Sequence, residues 1–433
     1  MKKNKEKKEK KKMSKVELVF DIISVVFLVG FSIFYLTRAI IWKKEFTPKE
    51  SPTGQKTEFL VNKVINKGTV TEGDGLYQED TKFVFKGKEV NNYVKYSNML
   101  FRIVKINSDK SMELITDEPI NFMKIAEEMK DYKGSDIDTY LNGYFYNLID
   151  NEYLQKAIVC LDKTTDVAKI TCNDKYAPFV KLLNISDYLN SKVENVSFLD
   201  TTNNAWLYNS NDEKYWLMNS GNLLVDAPDN LYEIYPVITV SQKISFTEGE
   251  GTLEKPYVVE TDKLFGTYVK LGEDMYQVYE EDDETISLVL NSLINDGKTK
   301  QAFSKVENEF SLEANGVGKY LNTTYYDSLS YKDYLLDKEY YVGSYDDGID
   351  KMEEVKVTSK VGLLNATNVI FNLELSNYYL NTPTGNSSVY MINNKFIKHS
   401  KNIIEKAIRP TIKISKKDLK GKGTLEDPYT KEV

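Results

Sequence analysis

Gly249-Glu-Gly-Thr-Leu-Glu-Lys-Pro-Tyr257 returns almost unchanged as Gly421-Lys-Gly-Thr-Leu-Glu-Asp-Pro-Tyr429, and the two positions that differ are charged in both copies. Each stretch follows an alternating, strand-like run, Pro236–Ser241 in the first copy and Pro410–Ser415 in the second. Self-similarity of this kind indicates a duplicated unit of structure. The chain is therefore predicted to contain two copies of one module.

Other landmarks occur in the same order in both halves of the chain. They are Tyr93-Val-Lys95 with Tyr268-Val-Lys270, Tyr140-Leu-Asn142 with Tyr320-Leu-Asn322, and Leu182-Leu-Asn184 with Leu363-Leu-Asn365. Alternating apolar residues predict a small antiparallel sheet at the start of each copy, and helical spacing after Ser135 predicts a helix. We expect two tandem α+β domains, 73–260 and 261–433, with Trp216 superposed on Tyr390 and Pro236 on Pro410 in the repeat core.

The charge of the chain is unevenly distributed. The 433 residues are 41% hydrophobic and 28% charged, which is ordinary globular composition. Residues 1–15 hold nine lysines and two glutamates, so the formal net charge of -8 leaves -15 for the remainder. Because an acidic body repels phosphates, no nucleic-acid partner is expected. The 31 tyrosines are interpreted as a compositional bias and not as a ligand surface.

An uncharged run, Ile22–Thr37, lies between Asp21 and Arg38 and predicts a membrane-spanning helix. The run is short, so the predicted anchor extends over residues 16–42 and ends at Trp42, with the lipid bilayer as its partner. Since the lysines precede it, residues 1–15 are expected in the cytoplasm, and a stalk (43–72) and both modules outside the cell. A cleaved signal peptide is the alternative, disfavoured by the bulky residues that follow the run.

Cys160 and Cys172 are the two cysteines of the chain, and strand-like residues flank both of them. In an exported chain such a pair is expected to form a disulfide. A catalytic cysteine pair is the alternative, but no histidine lies nearby in the sequence to lower a thiol pKa.

Other residue types give little sign of catalysis. His399 is the one histidine, which excludes a site with several histidine ligands. The acidic runs Glu280–Glu284 and Asp346–Asp350 lack the spacing of a calcium-binding loop and are interpreted as solvated turns. We predict no catalytic residue, metal or cofactor. The 65 acidic residues leave a carboxylate pair of the glycosidase type open.

The order of the motifs resembles a family of bacterial cell-surface domains of unknown function. The family pattern runs Y-V-x-F-x-x-x-x-W-R-V, W-L-N-x-x-F-Y, W-L-R-S and V-R-P. The first module matches it through Tyr93–Tyr96 with Phe101–Ile103, Tyr140–Tyr146, Tyr215–Ser220 and Tyr235–Ile238; the second matches through Tyr320–Asn322 and Ile408–Pro410 and lacks the tryptophan of the third motif. Such domains are distantly similar to C-type-lectin-like and formylglycine-generating folds, although the second module has no cysteine for the latter chemistry.

These observations favour a membrane-anchored extracellular protein without catalytic activity. Its expected role is to bind a surface protein or a glycan, or to serve as a structural part of the bacterial cell surface. The alternative is an envelope-acting hydrolase that uses a carboxylate pair. The sequence identifies neither the ligand nor the oligomeric state.

Overall fold

A computed structural model describes residues 29, 32–33, 37–38, 57–305, 308–346, 348–385 and 387–431. The chain divides into two compact units, residues 1–49 and 50–433. All elements named below belong to the second unit, in which both repeats lie.

The first repeat consists of many strands and a few short helices. In chain order its elements are β1 (Glu58–Phe59), α1 (Leu60–Asn66), β2 (Gly75–Glu79), β3 (Lys82–Lys86), β4 (Tyr93–Tyr96), β5 (Met99–Ile106), β6 (Met112–Thr116), β7 (Asn121–Met123), α2 (Asp136–Tyr140, continued by a π-helical turn Leu141–Phe145 and by Tyr146–Leu148), β8 (Leu154–Gln155), β9 (Val159–Cys160), β10 (Lys175–Tyr176), β11 (Val180–Lys181), α3 (Ile185–Asn190), β12 (Ala205–Asn211), β13 (Lys214–Asn219), β14 (Asn222–Asp226), β15 (Tyr232–Ile234), β16 (Val237–Val240), β17 (Ser245–Phe246) and β18 (Tyr257–Val259).

The main strands and the repeated helix of the first repeat recur in the same order in the second, which has no counterparts of β1–β3, α1 and α3 and has an additional helix, α5 (Ile349–Glu354). In chain order its elements are β19 (Tyr268–Leu271), β20 (Asp274–Glu281), β21 (Thr285–Leu290), a 3-10 turn (Ile294–Gly297), β22 (Lys300–Gln301), α4 (Val317–Tyr320, continued by a π-helical turn Leu321–Tyr325 and by Tyr326–Ser328), a 3-10 turn (Lys332–Tyr334), β23 (Lys338–Tyr341), α5 (Ile349–Glu354), β24 (Lys356–Ser359), β25 (Val361–Leu363), β26 (Tyr378–Thr384), β27 (Ser388–Asn393), β28 (Phe396–Lys401), β29 (Lys406–Ala407), β30 (Pro410–Ser415) and β31 (Tyr429–Thr430).

Each repeat has two main sheets with matching strand order. The larger sheet runs β11-β16-β6-β5-β3-β2 in the first repeat, with β4 also beside β5, β18 beside β4, and β8 beside β16. In the second repeat it runs β25-β30-β21-β20-β19-β31, which matches the branch through β4 and β18. The smaller sheets run β14-β13-β12-β15-β7 and β28-β27-β26-β29-β22. Among the described strands, none of one repeat pairs with a strand of the other. The domain boundaries 73–260 and 261–433 stay predictions, because residues 50–433 form one compact unit.

The fold-class prediction is wrong in its balance of helix and strand. The structure is mostly sheet, with 36% strand and 15% helix. The repeated helix is short in both copies, and its middle is a π-helical turn. Within the predicted stalk, helix α1 buries Leu60, Val61 and Val64 in the core of the first repeat.

The membrane-anchor prediction is also corrected. Within the described ranges, no helix is long and apolar enough to cross a membrane. The uncharged run of sixteen residues would reach only about 24 Å as a helix, against a hydrocarbon core of about 30 Å. Asp21 and Trp42 lie outside the described residues, and Arg38 is helical and exposed. The single-pass topology, the signal anchor and the cell-membrane location are therefore not retained.

The duplicated nine-residue motif leads into a strand that pairs with an early strand of its own repeat, β4 in the first and β19 in the second. Tyr257 begins β18, which runs parallel to β4, and Tyr429 begins β31, which runs parallel to β19. The first glycine of each motif has positive φ, and a Cβ there would lie within 2.3 Å of the carbonyl oxygen of the motif's own proline. Only glycine fits such a turn, which explains why Gly249 and Gly421 are shared by the two copies.

Equivalent faces of the two repeats are covered in different ways. In the first repeat, one face of the sheets forms a small separate core that contains Val104, Leu183, Leu207 and Met218. Their counterparts by strand register and motif position are Tyr279, Leu364, Leu380 and Ile392, which pack into the large core shared with the first repeat. The first repeat therefore covers this face of the second repeat, whereas the same face of the first repeat has to be covered by other residues.

The disulfide-bonded loop covers that face in the first repeat. Cys160 and Cys172 are joined by a disulfide with their Cα atoms 4.8 Å apart. Val167 and Ile170, inside the loop, pack against the small core. The Trp216 indole donates a hydrogen bond to the Thr164 carbonyl at 2.7 Å. The second repeat has no such bridge, and its equivalent face is occupied by the first repeat.

A buried ionic network lies behind the small core. Each repeat has a β-bulge in a long strand, β5 in the first repeat and β20 in the second. Lys105 follows the bulge of β5. Its ammonium contacts both oxygens of Asp187 at 2.7 Å and Glu113 at 3.2 Å. The Asp187 side chain is only 13% exposed. Burial opposes ionisation of Asp187, but the ammonium groups of Lys105 and Lys181 outweigh it and lower its pKa.

We expect Asp187→Asn to remove a stabilising charge that depends on pH. Because the folded pKa is lowered, this stabilisation is present above the unfolded value of about 3.9 and is lost as pH falls through the folded pKa. The variant should lose about 1–2 kcal/mol of unfolding free energy at pH 7, and the difference from wild type should shrink below about pH 4. Urea unfolding at several pH values measures this. Asp166→Asn, which changes an exposed pair with Lys169, is the control; a difference that does not change with pH would contradict the expectation.

Candidate binding cleft between the two repeats

A cleft of about 590 Å³ lies where the two repeats meet. Helix α2 of the first repeat forms one wall, and strands β20, β21 and β23 of the second form the other. The lining is rich in tyrosine: Tyr140, Tyr144, Tyr279, Tyr340 and Tyr341 all contribute.

Helix α2 is held so that its tyrosines face the cleft. Ser135 caps the helix by accepting a hydrogen bond from the Asp138 N–H at 3.2 Å. Asn142 ties the π-helical turn to β11, because its side-chain oxygen accepts from the Val180 N–H and its NH2 donates to the Val180 carbonyl. Asn322 makes the same two bonds to Val361 in the second repeat. The repeated Tyr-Leu-Asn motif therefore positions the helix that carries Tyr140 and Tyr144.

Glu280 is at the centre of the polar network in the cleft. It follows the β-bulge of the second repeat, at the position that Lys105 occupies in the first. One carboxylate oxygen accepts from Lys338 at 2.5 Å, and the other accepts from the Asn368 amide at 3.1 Å. The same amide nitrogen of Asn368 lies 3.1 Å from the Tyr144 hydroxyl. A network of hydrogen bonds thus crosses from the second repeat to the first.

The Lys338 ammonium is enclosed by acceptors and rings. It donates to Ser287 Oγ at 3.1 Å as well as to Glu280, and it lies 5.4 Å and 5.7 Å from the ring centroids of Tyr279 and Tyr340. Burial disfavours the charged lysine, but Glu280 outweighs it and raises the pKa of Lys338. Burial also raises the pKa of both tyrosines, so they are neutral rings at physiological pH.

Further carboxylates that line the cleft are paired with lysines. Glu281 contacts Lys416 at 2.7 Å, and Glu339 contacts Lys356 at 2.7 Å. Asp282 accepts hydrogen bonds from the Thr285 hydroxyl and from two backbone N–H groups, which lower its pKa to about 2. Asp282 is therefore ionised at neutral pH and cannot supply a proton there.

Buried polar contacts hold the two walls together. The Asn121 amide donates to the carbonyls of Ala366 and Asn368 at 2.8 Å and 3.0 Å. Lys124 is 4% exposed and donates to the carbonyls of Tyr345 and Asp346. Because Asn121 fixes the backbone at Asn368, it also positions the amide that binds Glu280.

The residues singled out in the sequence lie away from this cleft. Trp216 packs on the small core of the first repeat, and Tyr390 packs in the shared core, at equivalent positions of β13 and β27. Pro236 and Pro410 are buried before and at the start of equivalent strands. The His399 ring packs edge-on to Tyr390 at 4.5 Å, and burial lowers its pKa. None of these, nor the two cysteines, is a described lining residue of the cleft.

Sequence reasoning missed the role of one acidic run. Glu280, Glu281 and Asp282, interpreted as part of a solvated turn, line the cleft. Asp346, in the other run, accepts a hydrogen bond from the Gly385 N–H at 2.7 Å. Within the described part of the chain, no group of three or more His, Cys, Asp or Glu residues is arranged to hold a metal ion. The signal available in the sequence was the offset of 175 residues between Tyr93 and Tyr268, which also aligns Lys105 with the oppositely charged Glu280; the bulges that hold these two residues are seen in the structure.

Comparison of the chain with protein-family models, curated proteins and solved structures finds no match. The resemblance to a family of surface domains therefore stays a prediction that rests on the motifs quoted above.

Proposed function

We propose that this chain is a binding protein without catalytic activity, and that its ligand, a protein segment or a glycan, enters the cleft between the two repeats. The observation that carries the proposal is the tyrosine-lined cavity of about 590 Å³ at the repeat junction. Concave sites with aromatic walls and a few fixed polar groups are typical of ligand binding.

The polar groups of the cleft suit recognition better than catalysis. Glu280 is held by Lys338 and by Asn368, and Asp282 is held by Thr285 and by backbone N–H groups. A general acid needs a carboxyl group that is protonated at the working pH, and the hydrogen bonds to Asp282 lower its pKa and favour its ionised form instead. Fixed carboxylates and amides are hydrogen-bond partners for a bound ligand.

A hydrolase that uses a carboxylate pair is the second candidate. It is favoured by one observation, the presence of Glu280, Glu281, Asp282, Glu339 and Glu353 in the lining of one cleft. Incubating any captured ligand with the protein separates the two functions. Mass spectrometry should find the ligand intact, whereas cleavage that a blocked cleft abolishes would support the hydrolase.

Gly143 offers a direct test of the site. It lines the cleft, and a Cβ added there has no atom within 4 Å outside the nearby backbone of its own helix. We expect Gly143→Trp to fill the cleft without disturbing the core. The matched control is Thr323→Trp, since Thr323 occupies the same position in the π-helical turn of α4 and is exposed outside the cleft.

The measurement is capture of peptides and of glycans from two arrays by the full chain. Wild type and Thr323→Trp should retain the same array members, and Gly143→Trp should lose them. Equal capture by all three proteins would place the binding site elsewhere. No specific capture by wild type would contradict a binding function.

A further inference from the structure

We propose that the cleft binds a cationic polypeptide segment through its lysine or arginine side chains. This inference rests on the proposed function and names the class of ligand. It is carried by the charge of the cleft and by the way the cleft already holds one ammonium group.

The described lining of the cleft is acidic. It contains five carboxylates and two lysines, Lys338 and Lys413. A second cavity of about 360 Å³ shares Glu281 and Asp282 with the cleft and adds Asp150, Glu152, Asp262 and Asp283 against Lys263 and Lys416. The two cavities together form a negatively charged groove along the junction of the repeats. A groove of one sign attracts a partner of the opposite sign.

Lys338 shows how this cleft accommodates an ammonium group. Its Nζ contacts a carboxylate and a hydroxyl and lies near two tyrosine rings. Carboxylate and ring together stabilise a cation more than either does alone, because the ring face carries negative charge density. Tyr144 and Tyr341 also line the cleft and offer further rings to a second amine, which would share carboxylates that already contact Lys356, Lys413 and Lys416.

Charge variants at Gly143 test the inference without altering a residue that binds the ligand. The probe is a fluorescein-labelled hexalysine peptide, and its binding to the full chain is followed by anisotropy at 150 mM salt. Compared with Gly143→Gln, we expect Gly143→Lys to weaken binding about tenfold and Gly143→Glu to strengthen it by a similar factor, from the Coulomb energy of one added charge near the ligand. Thr323→Lys and Thr323→Glu, on the equivalent turn of α4, should change binding less than about twofold because the charge lies outside the cleft.

The outcomes separate this inference from the function on which it rests. Equal affinities of the Gly143→Lys and Gly143→Glu variants, or equal binding of hexalysine and a neutral Gly-Ser hexapeptide, would overturn the cationic ligand. If Gly143→Trp blocks the capture of neutral peptides or glycans and hexalysine does not bind to wild type, the cleft binds another class of ligand. If Gly143→Trp blocks nothing, both proposals fail.

Discussion

Replacing Trp206 by alanine is expected to lower the free energy of unfolding by about 3–5 kcal/mol. Trp206 is 1% exposed and is among the largest fully buried side chains. Its ring packs 4.9 Å from Tyr232, and its indole N–H donates to the Met123 carbonyl at 2.9 Å. The substitution removes this packing and leaves a buried carbonyl without its donor. Urea unfolding of wild type and variant measures the loss.

Two further variants show where this stability comes from. Trp206→Phe keeps an aromatic ring but cannot donate the hydrogen bond, so it should cost about 1–2 kcal/mol. Trp216→Ala changes a partly buried ring on the small core and should cost less than Trp206→Ala. A loss below 1 kcal/mol for Trp206→Ala would mean that the shared core does not depend on this side chain.

Replacing Asn121 by alanine is expected to affect both stability and binding. Asn121 is 1% exposed, and its amide is the donor to the carbonyls of Ala366 and Asn368. Leaving two buried acceptors unpaired should cost about 2–4 kcal/mol. Because the backbone at Asn368 then loses its tie, the Asn368 amide is less well positioned against Glu280 and Tyr144. We expect affinity for the cleft ligand to fall at least about tenfold, the effect of a loss near 1.4 kcal/mol.

Asn92→Ala is the matched control for this prediction. Asn92 is also fully buried, and its amide donates to the Ile103 carbonyl at 2.8 Å, but all its bonds lie within the first repeat. It should lower stability by a comparable amount and leave ligand affinity unchanged. Loss of affinity in both variants would show that the fall in ligand affinity follows from the loss of stability alone and not from the position of the Asn368 amide.

The duplication could be predicted from sequence because it rests on local signals. The turn at Gly249 and Gly421 needs glycine for steric reasons, and the asparagines of the two Tyr-Leu-Asn motifs make the same bonds in both repeats. Such constraints act within a few residues or between neighbouring elements, so they appear as identical residues in the two copies of the sequence. The balance of helix and strand was harder to predict, because the helical spacing after Ser135 indicates a helix but does not show that this helix is short.

The cleft could not be predicted, because contacts far apart in sequence create it. Tyr144 and Asn368 are 224 residues apart, and Asn121 and Ala366 are 245 apart. No periodicity or motif indicates that these side chains meet. Likewise, Trp216 and Tyr390 occupy equivalent positions, yet one packs on a small core and the other in a shared one, because different segments cover the two faces.

The disulfide-bonded loop has a consequence for copy number. Identical modules joined head to tail can add without limit, and arrays of this kind end only where a terminal module differs from the rest. Here the two surfaces that correspond to the junction are both altered. The loop between Cys160 and Cys172 occupies the face of the first repeat that corresponds to the covered face of the second repeat. In the second repeat, the positions of Phe122 and Tyr144 carry exposed Lys300 and Thr324. The junction between the two repeats is therefore not reproduced on either of these surfaces.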